Sequence, residues 1–165
     1  ALNVAERMND HSSVIALRRM QANVYLTVPS GAPSDDDKDQ ALRAAEAGVS
    51  WLDSHSETID SEELIFLRAG IEYIRGWVYM KRNEPEIAIP ILRQSHEMQK
   101  EIKDSQNYPF PLSALADCYT QLGDTDALRD LVTEINETAK KAHSSGSKLR
   151  ALARDIEKQL NGEEG

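Results

Sequence analysis

The residues that could do chemistry are few and scattered. Ser145 and Lys148 have the Ser-x-x-Lys spacing that sets an amine one helical turn from a hydroxyl, an arrangement that can activate a serine nucleophile for acyl transfer. Its usual companions, Ser-Asp-Asn and Lys-Thr-Gly, occur nowhere in the chain, so the pair reads as a turn followed by a helix start. The histidines His11, His55, His96 and His143 are far apart in sequence. None shares a helix face with a second ligand at metal-binding spacing, and each reads as surface or interfacial. Asp35-Asp-Asp37 masses three carboxylates without the alternation and glycine of a calcium loop, which leaves a solvated helix start. The single cysteine, Cys118, reads as a buried thiol and excludes an internal disulfide or a thiolate-rich zinc site. There is no Gly-rich phosphate loop. The sequence therefore predicts no catalytic residues, no metal and no cofactor, and a protein that is not an enzyme.

Charge narrows the partners. Against 28 Asp and Glu stand 19 Lys and Arg, a formal net charge of −9, which argues against a general nucleic-acid or anionic-membrane binder, since both need a basic surface. No apolar run reaches the roughly 20 residues that cross a bilayer, and the N-terminus does not read as a signal peptide. The expectation is one domain over residues 1–165, cytoplasmic by default, without membrane insertion. Because the sequence opens on Ala1, it also reads as a piece of a longer chain.

The elements that must position any site are helices. Apolar residues recur every three or four positions, most clearly in Leu128, Leu131, Val132, Ile135 and Ala139 and again in Leu149, Leu152, Ala153, Ile156 and Leu160, while no segment alternates as a strand would. Helices are predicted over 1–9, 13–28, 35–54, 61–82, 84–103, 110–122, 125–143 and 147–161. Asp60 with Glu63 and Asn83 with Glu86 have capping-box spacing. Ser34, Ser13, Asp124 and Ser147 stand where helix N-caps belong. Pro90, inside the fifth helix, removes a backbone donor and predicts a bend or a later start.

Two segments then align with each other. Gly76, Tyr79, Asn83, Ala88 and Leu92 pair with Ala116, Tyr119, Gly123, Leu128 and Val132, and a weaker N-terminal copy holds Ala22, Tyr25, Gln40-Ala41-Leu42 and Gly48. A small residue lets two helices approach and the aromatic fills the space beside it. This pattern resembles the tetratricopeptide repeat (TPR) family. The resemblance implies an all-α, right-handed α-solenoid of antiparallel helical hairpins, with repeats over 13–54, 61–103 and 110–143 and a capping helix over 147–161. Residues 1–9 would trail an upstream repeat. Tyr79 to Tyr119 spans 40 residues, longer than the family's period of about 34, which puts extra length in the second helix or in the Lys103–Pro111 connection. Leu128 stands where the family prefers a small residue and should open its helix pair.

The resemblance also implies a concave groove lined by the first helix of each hairpin, holding an extended or helical segment of another protein. By position, that wall shows Arg19, Asn23, Leu26 and Thr27 from the first repeat, and Gly70, Tyr73, Trp77, Met80 and Lys81 from the second. The third contributes Phe110, Ser113, Asp117, Thr120 and Gln121. Tyr73, Trp77 and Met80 are the expected anchors, because aromatics and Met are enriched at binding hot spots. Arg19 and Asn23 match the first basic and amide positions of the family's chaperone carboxylate clamp. Ile74, Phe110 and Ala114 replace its remaining members, so that clamp is not expected. The predicted function is a protein-interaction module, an adapter, assembly factor or co-chaperone, whose ligand has apolar anchors and basic flanks. The alternative is a regulatory or sensor domain of a larger signalling or transcription protein. Self-association through the first or last helix is a further expectation.

Overall fold

The structure, a computed structural model, describes residues 1–27, 32–102, 109–142 and 145–162. Among these residues the chain is helical with no strand: α1 (Leu2–Arg7), α2 (His11–Leu26), α3 (Asp35–His55), α4 (Ser61–Lys81), α5 (Pro85–Glu101), α6 (Pro109–Leu122), α7 (Thr125–Lys141) and α8 (Gly146–Gly162). Each boundary lies within two residues of the expected one.

The helix starts show which local signals operate. Ser34 and Asp37 form a complete capping box at α3, the Ser34 hydroxyl accepting from the Asp37 N–H and the Asp37 carboxylate from the Ser34 N–H. Asp60 accepts from the N–H groups of Glu62 and Glu63, and Asp124 from that of Ala127. Three cap assignments are corrected. Asp10, not Ser13, caps α2 by accepting from the Ser13 N–H, and hydrogen bonding with the Ser13 side chain, then with its backbone N–H, holds the Asp10 carboxyl below the usual range. Asn83 does not cap α5, which begins at Pro85, a position whose missing donor costs nothing. Nor does Ser147 precede α8, which starts a residue earlier, at Gly146. Pro90 leaves α5 a single element, which starts one residue later than the Asn83 signal placed it, and the proline lies on the exposed side.

Asn83 instead joins Gly123 in a repeated device. Both adopt left-handed backbone, φ 58° and 65°. In both, the following N–H donates to the tyrosine carbonyl five residues back, Glu84 to Tyr79 and Asp124 to Tyr119, at 3.0 Å in each case. This is the Schellman ending of a helix, favoured by Gly or Asn. Asn9 at φ 52° ends α1 in the same way, with Asp10 donating to Ala5.

Among the described residues every helix packs its backbone only on the next helix or the next but one: α2 on α4, α4 on α6, α6 on α8, besides consecutive pairs. Two apolar clusters result. One joins α2, α3 and α4 through Ile15, Ala22, Leu52, Ile71 and Val78; the other joins α4 to α8 through Leu92, Leu112, Leu115, Leu131, Ile135 and Leu149. Of the described glycines Gly76 lies closest to its neighbour, since a Cβ there would stand 2.7 Å from Leu92 Cγ. Ala116 and Tyr119 are buried in the second cluster, and Tyr79 packs against it. α5 and α7 are each 17 residues long, and residues 103–108, in the connection from α5 to α6, lie outside those described. Among the described residues no helix is long and apolar enough to cross a membrane.

Candidate functional site

On α4 a narrow strip runs between two buried faces. At about 100° per residue, Phe66, Gly70, Tyr73, Trp77 and Lys81 share one strip, with Leu67, Ile71, Ile74 and Val78 buried on one side and Ala69, Gly76 and Met80 on the other. Tyr73 and Trp77 are half-buried and each packs against both apolar clusters. Their rings are nearly parallel, 14° apart with centroids at 6.5 Å, and Phe110 of α6 adds a third ring 5.8 Å from Tyr73. The Lys81 ammonium lies 5.8 Å from the Trp77 ring centroid.

Charge borders this aromatic strip on both sides. From α2, Arg19 reaches across to α4 and lies over Gly70, its Nη1 2.9 Å from where a Cβ would be. Burial weakens the charged form of Arg19 and raises the Tyr73 phenol. From α6, Asp117 faces Lys81; burial pushes its carboxyl up while the Lys81 charge works against that shift. The structure thus brings Arg19, Tyr73, Trp77, Lys81 and Asp117 onto one surface. Asn23 and Gln121 are exposed on α2 and α6, and among the described residues no hydrogen bond or ion pair ties them to this surface.

Met80 requires a correction. Its side chain is 2% exposed and belongs to the core with Ala88 and Leu92, so it is not an anchor open to a ligand. The reason is angular. Met80 lies about 20° behind Tyr73 on the helical wheel while Trp77 lies about 40° ahead, and that difference crosses the edge of the strip. Leu26 is likewise buried. Phe66, 47% exposed, was not among the expected wall residues. Its place seven residues before Tyr73, two turns along the same stripe, was the available signal.

The other reactive residues form structural knots. Cys118 is fully buried, and burial with Asp117 nearby pushes its thiol up to about 12, which removes the thiolate a nucleophile needs. Ser145 is buried just before α8, while Lys148 is exposed. His11 and His55, distant in sequence, meet around Trp51: the Trp51 indole N–H donates to His11 Nδ1 at 3.2 Å, and His55 stacks on Trp51 with centroids 4.0 Å apart. His96 is wholly buried with Nε2 3.2 Å from Glu134 Oε1. His96, Glu97 and Glu134 bring potential ligand atoms within 4.8 Å of one another. Arg93 and Lys100 pair with that same Glu134, however, so its charge is already matched. The hydrogen bond with His96, then that from Arg93, holds the Glu134 carboxyl down to about 2 against the opposing effect of burial. A cleft of about 450 Å³ between Lys100, Glu137 and Lys141 opens beside it. His143 lies outside the described residues.

Comparison with known proteins gives no match: no family model, no curated protein and no solved structure is significantly similar to the chain.

Proposed function

We propose that this protein is an interaction module, a TPR-like α-solenoid whose α2–α4–α6 surface forms a groove that holds a segment of a partner protein, as an adapter, assembly factor or co-chaperone does. The observation that carries the reading is the aromatic strip of Phe66, Tyr73, Trp77 and Phe110, left open at the junction of the two apolar clusters. Such partly buried aromatics present large rigid area at little entropic cost and are typical anchors for a ligand. The nearest-neighbour packing of helices, α2 on α4 and α4 on α6, supports a solenoid in which the first members of successive pairs form one wall. The repeated Asn83 and Gly123 turns support a repeated hairpin.

The test is selection of short random displayed peptides on the intact chain. Peptides selected on the native protein should bind Phe66→Ser and Phe110→Ser variants at least about tenfold more weakly, a loss of some 1.4 kcal/mol. Both residues are half-exposed, so the far-UV helix signal should stay unchanged. Undiminished binding to both variants would remove the groove reading.

A second reading has its own observation. Val4 of α1, Met8 just after it, and Met20 and Val24 of α2 are exposed, Met8 to 74%, which is the composition of an end face that pairs with another copy. Light scattering over a concentration series should then show mass rising with concentration, and Met20→Glu with Val24→Glu should abolish the rise.

A further inference from the structure

Among the half-buried arginines of the described residues, one stands apart in its pairing. Among the described residues, the half-buried arginines Arg18, Arg68, Arg75, Arg82 and Arg93 are each paired with a carboxylate: Glu6, Asp53, Glu72, Asp39 and Glu134. Arg19 is half-buried as well and has none. In a chain with nine more acids than bases, a partly desolvated guanidinium without an acid beside it stands against the general trend. Burial disfavours the charged form of this group, which an incoming carboxylate would stabilise. The nearby Asp117 faces Lys81 instead.

Its setting defines the ligand. Arg19 lies against the backbone of α4 because Gly70 has no side chain to hold it away. One turn further along α4 comes Tyr73, with Trp77 and Phe110 beside it. The side chains facing this strip elsewhere on α4 and α6 add no second cation next to Arg19: Ile74 and Ala114 are buried and Phe110 is apolar. Arg19 at one end of the aromatic surface, with Lys81 facing Asp117 at the other, matches one acidic side chain adjoining one apolar side chain.

We propose that Arg19 receives an aspartate or glutamate side chain within the bound segment, next to an aromatic or aliphatic residue that rests on Tyr73 and Phe110. This rests on the groove reading above and reverses the basic flanks expected from net charge alone. Net charge averages over the whole surface, whereas the free guanidinium is local to the strip.

The experiment uses peptides joined at their C-termini to the display carrier, so that no terminal carboxylate is offered. Selected sequences should share an acid next to an apolar residue. One of them, synthesised as a C-terminal amide, and a twin with Gln for Glu or Asn for Asp are titrated calorimetrically against the unmodified chain. The acid form should bind at least about tenfold tighter, as charge-assisted hydrogen bonds allow. Arg19→Gln should bind the twins equally, and Arg19→Lys should keep part of the preference. Equal binding of the twins to the unmodified chain, or a preference that survives Arg19→Gln, overturns the assignment. Peptides that lack an acid yet need Phe66 or Phe110 would overturn the Arg19 role alone. Peptides that bind both serine variants unchanged would overturn the groove as well, and so would a selection that yields none. The comparison of twins on the unmodified chain depends on no variant folding.

Discussion

The hairpins α4–α5 and α6–α7 share one turn and differ in how closely their helices lie. α4 and α5 stay close along their length, whereas α6 and α7 meet sparingly and α7 packs more on α8. Two aligned positions account for it, and each is larger in the second hairpin: Gly76 against Ala116, Ala88 against Leu128. In the first, the missing Cβ of Gly76 admits Leu92, and Ala88 is fully buried. In the second, a methyl and a branched side chain take up that space. Helix spacing here is set by residue volume at the contact, as close packing requires.

The largest effect should come from emptying the wider seam. Leu128→Ala removes a side chain only 2% exposed, and should cost about 2–5 kcal/mol in urea unfolding at neutral pH. The low end would mean that α6 and α7 close up toward the spacing of the first hairpin; no loss at all would break the comparison. Gly76→Ala makes the opposite change. The new methyl would stand 2.7 and 2.8 Å from Leu92 Cγ and Cδ2, so overpacking should cost about 1–3 kcal/mol, less up to about 1 kcal/mol from helix propensity. Leu92→Ala in the same chain should give a non-additive cycle, because the two changes share one contact.

These contrasts show what the sequence could reveal. Helix positions were legible because stripes such as Leu128, Leu131, Val132 and Ile135 repeat locally, and the looser second hairpin was legible in Leu128 alone. Met80 was misplaced because two adjoining faces of α4 are both buried and leave a strip too narrow for composition to define. The place of Arg19 on the wall was legible, but its lack of an acid partner was not. Its lack of a carboxylate depends on where acids far away in sequence end up, as does the meeting of His11, Trp51 and His55.

Two glutamates, Glu72 buried and Glu134 half-buried, extend the comparison to pH. Glu134, between α5 and α7, has a folded pKa of about 2, below its unfolded value, so its contribution is present above the ordinary carboxylate range and is lost as pH falls toward 2. Glu72 on α4 is shifted the other way: burial raises it, although Arg75 lies 2.8 Å away. Its folded form takes up a proton first, so acidification from neutrality favours the folded state at this residue. Glu134→Gln should therefore cost about 1–3 kcal/mol at pH 7 and flatten the acid limb of the stability profile. Glu72→Gln should be tolerated, as urea midpoints measured from pH 7 to 3 will show. A steeper acid limb in Glu134→Gln would contradict the assignment.

The smallest effect separates the two turns themselves. Asn83 and Gly123 hold the same left-handed backbone and the same bond from the following N–H to a tyrosine carbonyl. A Cβ on Gly123 would meet nothing within 4 Å, so Gly123→Ala isolates the conformational cost, about 1 kcal/mol. Asn83→Gly should change stability by only a few tenths of a kcal/mol, since Asn already tolerates this region while glycine loses more backbone entropy on folding. If Gly123→Ala proved neutral, the turn would not be what fixes the entry of α7, and the shared geometry of the hairpins would have to come from the Tyr79 and Tyr119 packing alone. Equal losses at both sites would instead place part of the stability in the Asn83 side chain.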